Sequence, residues 1–134
     1  MKKYVFTLIT LFLICCISSC NKYSKEKMLD ELCSDDISNI TILALKTGSM
    51  TTVTDSANIE KILETVKSLP LYIKSDISNT YNVELVQYTI QKRTGKKITL
   101  DVLKPWIAYN NVWYACDSST CSQLSNMALE YLPN

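Results

Sequence analysis

Cysteines, carboxylates and aromatic rings carry whatever chemistry is open to this chain of 134 residues, because it has 6 cysteines and 13 Asp+Glu but no histidine. Without an imidazole there is no Ser-His or Cys-His nucleophile pair, and zinc sites are limited to sulfur and oxygen ligands. Three cysteines, Cys15, Cys16 and Cys20, lie in the first twenty residues. The other three are Cys33, Cys116 and Cys121. Cys116 and Cys121 enclose Asp117-Ser118-Ser119-Thr120, a connection short enough to bring their α-carbons within disulfide reach. The spacing predicts a Cys116–Cys121 bond, with Cys33 left over. The rival pairing joins Cys33 to one of the other two. A zinc site built from all three lacks a fourth ligand, and C-x4-C is not the C-x-x-C of disulfide exchangers.

The acids are scattered along the chain rather than grouped, and Asp35-Asp36 point apart if their segment is extended. Two acids facing each other across a cleft are what a carboxylate hydrolase needs. The 2 glycines, Gly48 and Gly95, cannot build a phosphate cradle, and Gly95-Lys96 has Ile90 where a P-loop needs glycine. No cofactor is expected. The strongest concentration of recognition chemistry is aromatic. Trp106, Tyr109, Trp113 and Tyr114 surround Asn110-Asn111, and aromatics beside amides suit protein interfaces as well as sugar stacking. The candidate binding surface is therefore Trp106, Tyr109, Asn110, Asn111 and Trp113. The competing use of these rings is core packing across strands.

At the other end of the chain, Lys2 and Lys3 precede an apolar run from Tyr4 to Ile17, interrupted only by Thr7 and Thr10. Its 14 residues fall short of the roughly 20 that span a bilayer as a helix, which predicts a cleaved signal. Ile17-Ser18-Ser19-Cys20 then places an aliphatic residue and two small ones before a cysteine. This segment resembles the lipobox signal of bacterial lipoproteins, and the resemblance covers residues 1–20. It implies cleavage between Ser19 and Cys20, diacylglycerol on the Cys20 sulfur, and a further acyl chain such as palmitate on the new N-terminus. Two or three chains exceed the threshold for stable anchoring. The expected location is the bacterial cell envelope, at the plasma membrane, or the outer membrane where the host has one. Loss of Lys2 and Lys3 takes the 14 basic residues to 12 against 13 acidic, so no basic footprint for nucleic acid remains.

The elements that must position the aromatics follow. Residues 1–19 are the expected signal, 20–36 a polar tether with a short helix at Met28, Leu29, Leu32 and Cys33, and 37–134 a single domain. Ile37 to Leu45, a turn at Thr47-Gly48-Ser49, and Met50 to Val53 read as paired strands. A helix capped by Asp55 or Ser56 carries Ile59, Ile62, Leu63, Val66 and Leu69 on one face and stops at Pro70. Lys74 to Asn82 reads as a loop.

Counting outward from Arg93-Thr94-Gly95 pairs Ile90 with Ile98, Tyr88 with Leu100 and Val86 with Val102 on an apolar face. Thr89 with Thr99 and Gln87 with Asp101 make the polar face. Counting outward from Asn110-Asn111 pairs Tyr109 with Val112, Ala108 with Trp113, Ile107 with Tyr114 and Trp106 with Ala115, and both faces are apolar. A last helix spans about Ser119 to Leu132.

The predicted fold is α+β, an antiparallel sheet of about five to six strands with two helices on one face, in the order β-β-α-β-β-β-β-α. This order resembles that of small lipoproteins of unassigned function. The functional expectation is a lipid-anchored, non-enzymatic binding module of accessory, inhibitor or immunity type, with a protein partner. The alternative is a small carboxylate-dependent hydrolase or a carbohydrate-binding protein.

Overall fold

The computed structural model describes residues 29, 32–69, 71–74 and 85–133, with backbone only at 72–74. The expected signal at 1–19, the expected acylation site Cys20, most of the tether, the stop at Pro70 and the loop after Lys74 lie outside the described residues. Among the described residues, no helix is long and apolar enough to cross a membrane. Seven strands of the described residues form one antiparallel sheet: β1 (Ile37–Ala44), β2 (Ser49–Val53), β3 (Leu71–Lys74), β4 (Val86–Lys92), β5 (Lys97–Leu103), β6 (Trp106–Tyr109) and β7 (Val112–Cys116). Helices α1 (Ser56–Lys67) and α2 (Ser118–Tyr131) pack on one side of it. The architecture is the predicted α+β class, enlarged by β3.

The strands lie in the order β2-β1-β4-β5-β6-β7-β3. Since β2 and β3 are opposite edges, α1 carries the chain from one edge of the sheet to the other. Asp55 caps it by accepting the Asn58 N–H at 3.0 Å, and Ile59, Ile62, Leu63 and Val66 are buried beneath it. In α2 the buried stripe is Cys121, Leu124, Met127 and Ala128. The Tyr88 hydroxyl rises from the centre of the sheet and donates to the Leu124 carbonyl at 2.6 Å, pinning α2 to β4. Burial pushes the Tyr88 phenol well above its ordinary value.

Both hairpin registers agree with the counting, residue for residue. Gly95 has φ +87° where the β4–β5 loop needs it, and Asn110 and Asn111 have φ 46° and 67°, the left-handed pair of a type I′ turn. The tether boundary moves, however. Leu29 and Leu32 are buried in the core, so the packed domain begins before Ile37. Asp35 and Asp36 belong to a short 3-10 turn, Ser34–Asp36, not to an extended segment. That turn is tied to the β4–β5 loop by Arg93, whose N–H donates to the Asp36 carbonyl and whose Nε donates to the Asp35 carbonyl, both at 2.8 Å.

Candidate interaction surface

Alternation along β6 and β7 sends neighbouring side chains to opposite faces of the sheet. Ile107, Tyr109 and Tyr114 point under the helices and belong to the main core. Trp106, Ala108, Trp113 and Ala115 point the other way, onto the face where no helix of the described residues packs. The placement of Tyr109 therefore corrects its assignment to the binding surface. Only 7% exposed, it is set against Leu100 and Val112 and is part of the core.

On the helix-free face, Trp106 stands opposite Ala115 and, across the other neighbour, Leu103. Trp113 stands opposite Ala108. Both tryptophans are half-buried, while Leu103 and Ala108 are 4% and 1% exposed without belonging to the core under the helices. The rings thus border a second, smaller apolar patch. They do not pack beneath α2. Elsewhere on this face Thr41 and Thr52 meet at 3.3 Å and Gln87 Nε2 donates to Asp101 Oδ1 at 2.7 Å, while Leu43 pairs with the exposed Met50 at the β1–β2 edge.

The two turn asparagines divide their roles. Asn110 Oδ1 accepts the Thr99 N–H at 3.1 Å, while the Asn110 N–H donates to the Thr99 carbonyl at 2.9 Å. This double bond to β5 fixes the angle of the turn and commits the side-chain oxygen. Asn111 is exposed. The surface the structure assembles is Trp106, Trp113 and Asn111, with Asn110 as its anchor.

The cysteines require a second correction. The expected Cys116–Cys121 bond is not formed, and Cys33, Cys116 and Cys121 are all free thiols. Cys116 ends β7 and Cys121 lies in the first turn of α2, where its N–H is already bound to the Asp117 carbonyl at 3.0 Å. The two thiols hydrogen-bond each other without reaching covalent distance. The contact lowers the pKa of Cys116 and, with burial, raises that of Cys121, so Cys116 is the first to lose its proton. Cys33 is exposed and does not join them, and no cluster of metal-ligating side chains occurs among the described residues.

Asp55 caps α1, and Glu130 pairs with Lys61 across the two helices at 3.0 Å. Asp117 precedes α2 and takes the Ser119 hydroxyl, which holds its carboxyl below the usual range. Comparison with protein-family models, curated proteins and solved structures finds no match to this chain.

Proposed function

We propose that this chain is a membrane-tethered binding module that engages a protein partner through the helix-free face of its sheet. The observation that carries the reading is the two-sidedness of the β6–β7 hairpin. Its inward residues complete the core, and its outward residues include two partly exposed tryptophans beside an exposed asparagine. Aromatic side chains with few charges around them are the compositional mark of interface centres. The lipobox-like residues Ile17 to Cys20 support the tether, and the absence of histidine from the sequence supports binding over nucleophilic catalysis.

Site-specific photocrosslinking in the producing cell tests the reading. A benzophenone side chain at Trp106 or Trp113 should capture one defined envelope protein, and the same group at the exposed Glu60 of α1 should not. Equal capture at both faces, or capture at neither, removes the proposal.

A further inference from the structure

The end of β7 meets the first turn of α2 in two thiols that the tryptophan surface does not use. Both are held by their backbones. The Cys116 N–H donates to the Pro105 carbonyl at 2.9 Å, and Cys116 stands opposite Leu71 of β3. The Cys121 N–H is bound to the Asp117 carbonyl at 3.0 Å, and its own carbonyl accepts the Ser125 hydroxyl at 3.1 Å. Sheet and helix, not a free loop, therefore set the two side chains against each other.

The two sulfurs are not equivalent. Cys116 Sγ accepts from the Cys121 thiol and from the Asp117 N–H, two donors that favour its thiolate. Cys121 has no exposed surface, while Cys116 keeps 7%, so solvent reaches only the thiol that loses its proton first. So narrow an opening suits a small oxidant better than a disulfide carried on a peptide. A bond between the pair would close a loop holding only Asp117-Ser118-Ser119-Thr120, where the chain-entropy gain of a cross-link is small. As a permanent staple it adds little, and its value lies in being made and broken.

We propose that Cys116 and Cys121 form a hydroperoxide-reactive dithiol, with Cys116 as the attacking sulfur and Cys121 as the resolving one. The Cys116 thiolate attacks one peroxide oxygen, the O–O bond breaks, and the departing oxygen takes up a proton, which leaves Cys116 as a sulfenic acid. The Cys121 sulfur then attacks the Cys116 sulfur, the S–O bond breaks, and hydroxide leaves with the Cys121 proton as water. Two electrons have passed from the thiols to the peroxide, and a Cys116–Cys121 disulfide remains. The site is independent of the tryptophan surface, and neither proposal depends on the other.

The full chain, purified under dithiothreitol and freed of it, is exposed to hydrogen peroxide, and peptide mass mapping reads Cys33, Cys116 and Cys121 separately. Cys116 and Cys121 should be lost together into one bond ahead of the exposed Cys33, and dithiothreitol should restore both. In Cys121→Ser the sulfenic acid should persist at Cys116 and be trapped by dimedone, whereas Cys116→Ser should give no adduct at Cys121. The wild-type chain supplies a test that needs no variant, because denaturation by guanidinium should abolish the lead over Cys33. Survival of both thiols at a peroxide dose that consumes Cys33, or a lead that persists in denaturant, overturns the proposal. Equal dimedone trapping at Cys121 in Cys116→Ser, or closure by oxidised glutathione as fast as by peroxide, overturns it as well.

Discussion

The β4–β5 and β6–β7 hairpins are neighbours in one sheet, yet they use their two faces differently. In the first, Tyr88, Ile90, Ile98 and Leu100 enter the core and Thr89, Gln87, Thr99 and Asp101 face outward, where Gln87 and Asp101 bond to each other. Folding alone accounts for every one of these residue types. In the second, the inward set of Ile107, Tyr109 and Tyr114 already closes the core, and Trp106 and Trp113 are apolar surface beyond what the helices cover. The surplus is where a function other than folding can be read. A sheet with one solvated face pays no stability for polar outward residues, so tryptophans there require another reason.

The comparison breaks most easily at two adjacent residues of β6. Ile107 is fully buried, and Ile107→Ala should cost about 3 kcal/mol, within the range for emptying a packed aliphatic site. Trp106, one residue earlier and on the other face, is only partly buried and should cost less on replacement by Ala, about 2 kcal/mol. Urea titration of both variants measures the gap. If Trp106→Ala destabilises as much as Ile107→Ala, the outward aromatics are structural and the contrast between the hairpins disappears.

A smaller effect sharpens the inward half of the comparison. Tyr88→Phe keeps the ring in the core and removes the hydrogen bond to Leu124, at about 1 kcal/mol near neutral pH. It should also change the alkaline limb. The folded phenol is raised above its ordinary value near 10, so above that pH the unfolded state releases a proton that the folded state keeps. Stability is therefore full below pH 10 and falls as pH rises, by at most about 1.4 kcal/mol per unit from this group. The wild-type protein should converge on Tyr88→Phe as pH is raised beyond 10, read by denaturant midpoints across the range. Parallel curves would show that the phenol is not held in its neutral form.

How legible each hairpin was depends on how local its determinants are. Both registers follow from a turn and an alternation, which is information within about fifteen residues, and the helix-free position of the tryptophans follows from the same parity. That parity already separated Tyr109 from Trp106 and Trp113, so grouping them by composition was the error. Leu29 and Leu32 had helical spacing, but the charged residues around them suggested a tether, and only the assembled core shows them buried. Strand β3 has four residues and pairs with β7, Leu71 with Cys116 and Lys74 with Tyr114, about forty positions away. Pairing at that distance leaves no local period. The Asn110 bond to Thr99 likewise arises from segments that meet only in the folded sheet.

The smallest expected effect tests the turns themselves, where the two hairpins solve the same backbone problem with different residues. The β4–β5 loop uses Gly95 at φ +87°, and a Cβ added there would meet nothing within 4 Å, so Gly95→Ala measures backbone strain without a clash. It should destabilise by about 1 kcal/mol. The β6–β7 turn instead places Asn111 at φ 67°, a conformation that asparagine tolerates and glycine adopts freely. Asn111→Gly should therefore stabilise by about 0.5 kcal/mol, the opposite sign. Asn110→Gly should not, because it also deletes the bond to the Thr99 N–H. If Asn111→Gly raises the denaturation midpoint while weakening photocrosslinking from Trp113, asparagine is kept at this turn for contact at the expense of stability. A higher midpoint with undiminished crosslinking would place Asn111 outside the interface and confine the surface to the two tryptophans.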